Sequence, residues 1–373
     1  SNASKSTANC SSILSSMFAS KPSASFLRNG LNSANNDMPG MARELRNARR
    51  LLVIKPSSLG DIVHALPAVA LIKSAMPGLE IRWVANEEFA PLLEGNPDLD
   101  EVIPFPRARM RGPLSPFRFL KWSRILSLPE PPDLVIDFQG LMRSGLMASR
   151  SGAAKVFGLS DARECAGFFH HQRVEVDAEA HAVDRYLEVV RALGIQVPDG
   201  DDGLCFKLPV EKPENPPPEG FVLLNPFSRG TGKSLSVESV LAFCQAMGQC
   251  PVVLVGRGGP GLGPLPGNAH NWIDATSFGQ LAWLMENALF NVSVDSGPAH
   301  MAAALGENLL AIHAWSDPLK VGPYQKAAWV WISGQLSRAG EVDPAATRGQ
   351  GKLPDIAQIK EIAAHVRTIS GLA

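Results

Sequence analysis

From Arg50 onward, short apolar runs of strand length alternate with segments whose apolar residues recur every three to four positions. That alternation spells strand-helix-strand units feeding a parallel sheet, and so an α/β fold. In the first half, strands are predicted over residues 51–54, 81–84, 102–103, 134–137, 156–157 and 174–176. The clearest helix covers 181–193, where Ala182, Tyr186, Val189, Val190 and Leu193 share a face and Gly194 suits the left-handed position after the last turn. Pro198, Pro209, Pro213, Pro216, Pro217 and Pro218 then punctuate a linker that can hold no more than an edge strand at 205–208. A second alternation follows, with strands expected over 221–224, 252–255, 291–294 and 309–313 and helices over 237–247, 278–287 and 298–305. Ile356, Ile359, Ile362, Ala363 and Val366 form the apolar face of a final helix, expected to pack across the domain junction.

The chain has 373 residues, more than one ordinary core accommodates, so two domains are expected. The division reads as a disordered leader over 1–42, an N-terminal domain over 43–203, a linker over 204–218, a C-terminal domain over 219–353 and a terminal helix over 354–373. Ser1-Asn2-Ala3 reads as a cloning remnant. The Ser- and Asn-rich stretch behind it has no carboxylate before Asp37, and a natural start near Met38 or Met41 fits. With 45% hydrophobic and 19% charged residues, the composition suits a packed cytoplasmic enzyme. No apolar run approaches the ~18–20 residues of a membrane span. A formal net charge of −1 offers no global basic field, so nucleic acid is not an expected partner. Cys10, Cys165, Cys205, Cys244 and Cys250 are scattered, without metal-ligand spacing, and no metal site is expected.

Three strand-to-loop junctions carry candidate chemistry. In Lys55-Pro56-Ser57-Ser58-Leu59-Gly60-Asp61-Ile62-Val63-His64, a buried strand runs into a small-residue loop at the carboxyl edge of a parallel sheet, where open α/β folds bind ligands. With Pro67 in the first helical turn, Asp61 and His64 fall in the turn before it, facing the crevice. Asp61 could equally be a helix cap, and the residues alone leave both open. In Val294-Asp295-Ser296-Gly297-Pro298-Ala299-His300, a strand ends at an acceptor carboxylate and a helix begins, its amides offering a phosphate site, the plain alternative being an ordinary Asp cap with His300 packed in the core. In Asn225-Pro226-Phe227-Ser228-Arg229-Gly230-Thr231-Gly232-Lys233, hydroxyls and a compact cation suit a diphosphate, although the P-loop spacing is missing and Lys233 taken alone reads more commonly as a solvated surface lysine. Gly60 stands outside any GxGxxG pattern, which disfavours a nicotinamide cofactor.

Lys55-Pro56-Ser57-Ser58-Leu59-Gly60-Asp61, Asp137-Phe138-Gln139-Gly140-Leu141, His181-Ala182-Val183-Asp184-Arg185 and Asp295-Ser296-Gly297-Pro298-Ala299-His300 occur in one order. That ordered set resembles the lipopolysaccharide heptosyltransferases of glycosyltransferase family 9, and the second and third elements tilt the resemblance toward their type I members. The resemblance implies a GT-B fold of two Rossmann-like domains facing a central cleft, and inverting, metal-independent transfer of heptose from ADP-L-glycero-D-manno-heptose to Kdo-lipid A. It implies Asp61 as catalytic base. It places the donor on Asn225, Ser228, Thr231, Lys233, Asp295, Ser296, Gly297 and His300, with no cofactor beyond the donor itself. The acceptor is expected on Ser57, Ser58, Gly60, His64, Gln139, Arg143 and Arg163.

Arg107, Arg109 and Arg111 open a basic, aromatic-interleaved stretch without an acidic residue, continuing through Phe117, Arg118, Phe119, Lys121, Trp122 and Arg124. It is a candidate for the acceptor's anionic groups and for an anionic membrane surface at the inner face of the inner membrane. A solvated loop and helix face is the plain alternative. The chain departs from the family's aromatic-proline pair after the lysine, reading Ser234-Leu235-Ser236, and from its Phe/Tyr-Gly-Pro-Thr, reading His313-Ala314-Trp315-Ser316. A related GT-B enzyme with another nucleotide sugar, or a binding module that has lost turnover, are the competing expectations.

Overall fold

A computed structural model describes residues 40–112, 114–198, 200, 206–230, 232–347 and 351–372. The leader over 1–39 and the expected edge-strand residue Cys205 lie outside the described residues, and Phe206–Leu208 pairs with no strand. The N-terminal half holds strands β1 (Arg50–Ile54), β2 (Glu80–Asn86), β3 (Glu101–Phe105), β4 (Leu134–Asp137), β5 (Lys155–Leu159) and β6 (Gln172–Val174). They form one sheet in the order β3-β2-β1-β4-β5-β6, every pair parallel. Its helices are α1 (Gly40–Asn47), α2 (Leu59–Ala75), α3 (Ala90–Leu93), α4 (Ser115–Trp122), α5 (Met142–Arg150) and α6 (Ala182–Ala192). Helix α1 buries Met41, Ala42 and Leu45, so residues 40–42 pack with the N-terminal half although they were expected to belong to the leader.

The C-terminal half repeats the plan with β7 (Val222–Asn225), β8 (Val252–Leu254), β9 (Ala269–Asn271), β10 (Phe290–Val294), β11 (Leu309–His313), β12 (Trp329–Ile332) and β13 (Gln335–Arg338). The order is β13-β12-β11-β10-β7-β8-β9, with β13 alone antiparallel. Its helices are α7 (Val237–Ala246), α8 (Phe278–Asn287), α9 (Gly297–Leu305), α10 (Pro318–Val321) and α11 (Ile356–Ile369). Both sheets reverse direction beside their first strand, between β1 and β4 and between β7 and β10. These are the switch points outside which doubly wound sheets bind ligands. The whole is the expected GT-B arrangement.

Two expectations need correction. Helix α2 starts at Leu59, so Asp61 and His64 lie inside its first two turns, and Pro67 sits mid-helix. The reason is burial: α2 packs against α6 on one side and α9 of the other half on another, so Ile62, Val63, His64, Ala65, Leu66, Ala68 and Val69 are all buried and no amphipathic period marks the start. The terminal helix α11 packs on α7 and puts Ile359, Ile362, Ala363 and Val366 into the core of its own half, not across the junction. The junction is instead filled by α2, α8 and α9, through which one apolar core runs from Val53 and Ile62 to Met301 and Leu284. Among the described residues, no helix is long and apolar enough to cross a membrane.

Candidate active site

The loops leaving β1 and β10 meet at the N-termini of α2 and α9, and a cleft of about 580 Å³ opens between the halves there. Ser58, Gly60, Asp61 and His64 line it from one side, and Ser228, Lys233, Asp295, Ser296, Gly297 and His300 from the other. Two glycines let the elements approach. A Cβ on Gly60 would lie 2.2 Å from Cδ2 of His300, and one on Gly297 would lie 2.4 Å from Cδ2 of Leu59. Any larger residue at either place would separate α2 from α9.

The Asp61 carboxylate does both things its position allows. Its Oδ2 accepts the Ser58 N–H at 2.9 Å and the Ser58 hydroxyl at 2.7 Å, closing the first turn of α2. Both bonds fall on Oδ2, and Asp61 is itself among the residues that line the cleft. Burial would raise its pKa, but Lys55, the Ser58 bonds and His300 outweigh burial and hold it below the ordinary carboxylate value. It is therefore ionised at neutral pH. Lys55, which sequence reasoning named only within a motif, is buried, donates to the Phe138 carbonyl at 3.1 Å and lies 5.3 Å from the Tyr186 ring centroid. Burial disfavours its charge, yet Tyr186, Asp61 and Asp137 raise its pKa, so a fixed cation stands behind the carboxylate.

Across the cleft, Asp295 accepts from Lys233 Nζ at 2.8 Å and from the Ser316 hydroxyl at 2.7 Å, both on Oδ2, while His300 Nε2 stands 4.0 Å from Oδ1. Burial pushes its pKa up, but His313, Lys233, Ser316 and His300 bring it to about 2. His313 Nδ1 lies 2.9 Å from the Ser316 hydroxyl, and burial lowers that imidazole's pKa to about 4. Ser316 and His313 were not expected site residues, and they belong to the segment that departs from the family pattern. His300 stacks edge-on with His64 at 4.4 Å, and His64 with His181 at 5.3 Å. Burial lowers the pKa of all three, to about 4 for His181.

Other expected residues act through their neighbours. Asn225 is fully buried and donates to Ser293 at 2.9 Å and Ser296 at 2.8 Å, tying β7 to the turn after β10. Ser228 donates its hydroxyl to the Asp295 carbonyl at 3.0 Å. Thr231 lies outside the described residues. Ser57, Gln139, Arg107 and Arg143 line a second recess of about 210 Å³ beside the cleft, where the Gln139 side-chain Oε1 accepts the Ser57 N–H at 3.2 Å. Asp137 holds that edge by accepting from the Gln139 and Gly140 amides, the Ser144 hydroxyl and His170. Arg109, Arg111 and Arg163 are exposed and line neither recess. Arg109 lies 3.7 Å from Glu87, and Arg163 bonds the Gly140 carbonyl through its backbone N–H.

The His181-Ala182-Val183-Asp184-Arg185 element joins the halves. His181 Nε2 donates to the Gly322 carbonyl at 3.1 Å, the Tyr324 hydroxyl donates to Asp184 at 2.7 Å, and Lys320 pairs with Glu179 at 2.7 Å. At the opposite lip, Arg229 pairs with Glu88 at 2.9 Å. Among the described residues, no group of three or more His, Cys, Asp or Glu is placed to hold a metal ion.

Residues 129–233 and 267–346 match the model of glycosyltransferase family 9 (heptosyltransferase). The lipopolysaccharide heptosyltransferase 1 of Escherichia coli K12 is 28% identical over 295 residues, 74% of this chain and 91% of the relative. That of Pseudomonas aeruginosa is 38% identical over 164 residues, 42% of this chain and 46% of the relative. Among solved structures, E. coli heptosyltransferase WaaC with ADP has a TM-score of 0.67 at 23% identity, covering 85% of this chain and 99% of its own. E. coli ADP-heptose lps heptosyltransferase II has a TM-score of 0.66 at 19% identity, covering 87% and 99%. At those identities the two structures bear on the fold alone.

Proposed function

We propose, from the premise that the chain belongs to glycosyltransferase family 9 and is a heptosyltransferase of the lipopolysaccharide core, that it moves heptose from ADP-heptose to a Kdo-lipid A acceptor with inversion. The observation that carries this reading is the ionised Asp61 lining one wall of the cleft, with Lys233, Asp295 and the start of α9 lining the other. Asp61 takes the proton of the acceptor hydroxyl as that oxygen bonds the anomeric carbon, and the bond to ADP breaks on the opposite face. The proton leaves Asp61 for solvent afterwards. Lys233 turns from Asp295 to the diphosphate, joined by the amides of Ser296 and Gly297 at the start of α9. Ser316 and His300 keep Asp295 in place to accept the sugar hydroxyls. No step calls for a metal ion. The recess of Ser57, Arg107, Gln139 and Arg143 holds the acceptor's anionic sugar, at the cytoplasmic face of the inner membrane.

The test offers ADP-, UDP- and GDP-sugars with Kdo-lipid A in EDTA, and reads the product's anomeric configuration by NMR. The expected product forms from ADP-heptose alone, with the configuration inverted. Retention, or preference for UDP or GDP donors, would assign the site to another glycosyltransferase. Donor binding without transfer would make it a binding module.

A further inference from the structure

Helix α4 and the 3-10 turn behind it, Ser123–Ser127, carry apolar residues on two faces, and only one face has a core to enter. Inward, Phe119 and Trp122 pack on the core of Leu52, Val84 and Phe105. Trp122 meets the Phe105 ring at 4.7 Å and donates its indole N–H to the Pro104 carbonyl at 3.0 Å. The buried Arg82 pins the segment from below, donating to the carbonyls of Leu126, Leu128 and Glu130. Outward, Leu114, Phe117, Leu120, Ile125 and Leu128 follow at helical spacing and stay exposed, Phe117 at 71% and Leu128 at 57%. An aromatic ring that open to water on a rigidly anchored helix marks a surface that is covered in use.

Charge says by what. Between Pro106 and Pro129 the chain carries Arg107, Arg109, Arg111, Arg118, Lys121 and Arg124 and no carboxylate, although the whole molecule is nearly neutral. Lys121 and Arg124 are exposed beside the apolar stripe. Arg118 folds back to the carbonyls of Arg109 and Arg111, joining helix and basic loop into one platform. Apolar side chains flanked by exposed cations, of which Arg109 alone has a carboxylate, Glu87, within 4 Å among the described residues, match the boundary of an anionic bilayer, where rings enter the acyl edge and cations meet phosphate. We propose that this face of α4 docks the protein on an anionic lipid bilayer. The proposal rests on the glycolipid reading above for why a bilayer is near. Arg107 belongs both to this platform and to the recess that also holds Arg143, so docking would bring the recess to the lipid surface.

The test uses the full chain and vesicles containing neither donor nor acceptor, so the outcome does not depend on whether transfer occurs. Co-sedimentation is measured with phosphatidylethanolamine–phosphatidylglycerol vesicles and with phosphatidylcholine alone. Binding is expected to the anionic vesicles only and to weaken with salt. Replacing Lys121→Gln with Arg124→Gln should lower the partition coefficient about twentyfold. Phe117→Ser with Leu120→Ser should lower it about tenfold or more, with the circular dichroism melt unchanged. Lys360→Gln, on the exposed side of α11, should leave binding at the wild-type level. The proposal is overturned by equal binding to neutral vesicles, by α4 variants that sediment like wild type, or by binding that requires added glycolipid. It is equally overturned if the α4 variants abolish self-association instead.

Discussion

At the residue scale, the site depends on fixed charges that hold two carboxylates ionised. Lys55 lowers the Asp61 pKa, so the acid limb of the kcat/KM profile should lie below the ordinary carboxylate range. Lys55→Met removes that cation and should move the limb to higher pH; an unmoved limb would show that Asp61 does not govern it. The same linkage has a stability side. A carboxylate whose folded pKa is depressed contributes stability above its unfolded value, and that contribution is lost as pH falls through the folded one. For Asp295, at about 2 against 3.8, this amounts to about 2 kcal/mol, lost as pH falls from about 4 to 2. Lys233 serves Asp295 in this structure and the diphosphate in the proposed reaction. Lys233→Ala should raise the dissociation constant for ADP at least about tenfold, read by calorimetry, as expected for a charge-assisted bond. Unchanged ADP affinity would remove Lys233 from the cradle.

At the element scale, what matters is how closely the starts of α2 and α9 approach. Gly60 has no unusual dihedral requirement, and its constraint is the His300 ring. That ring is held between His64 and Asp295, so the methyl of Gly60→Ala cannot be accommodated by a simple rotation. The variant should lose about 1–3 kcal/mol by calorimetry and most of its turnover; wild-type melting and activity together would contradict this contact. Most elements were legible from the sequence because β1, β4, β10 and β11 are near-continuous apolar runs ended by polar loops, as central parallel strands require. The beginning of α2 was not legible, because a helix buried on nearly all sides loses its period. Strands β9, β12 and β13 were missed: Ala269–Asn271 and Gln335–Arg338 are short polar edges with little to mark them, and Trp329–Ile332 is an apolar run of only four residues. Asp61, Asp295, His300 and Lys233 line the cleft, and their place there was legible because unusual residues sat at strand ends. Ser316 and His313 were hidden by distance in sequence, and they reach Asp295 only because β10 and β11 are neighbours. Arg109, Arg111 and Arg163 line neither recess, because a basic run does not tell which cation turns toward one.

For the whole molecule, the cleft exists because one apolar core and a set of polar contacts hold two halves together at two lips. Neutral histidines crowd that junction. His64 lies within ring contact of both His181 and His300, and His313 stands behind Asp295, all with pKa values lowered by burial. A depressed histidine contributes stability that is complete above its unfolded value of 6.5 and is lost as pH falls toward the folded one. His313 alone, at about 4, should contribute about 3 kcal/mol that disappears between about pH 6.5 and 4. Urea midpoints should therefore fall steeply between pH 7.5 and 4.5, and a flat profile would mean that the junction accepts protons without opening. In the proposed transfer Asp61 is the base, and residues of both halves line the cleft around it. The most direct measurement is single-turnover transfer by wild type and Asp61→Asn in EDTA, with ADP-heptose affinity measured on the same preparations. Asparagine keeps an acceptor oxygen for Ser58 but cannot take the proton. The expected result is a rate reduced about 10²–10⁴-fold at unchanged donor affinity. Turnover by Asp61→Asn within a few-fold of wild type would contradict the assignment.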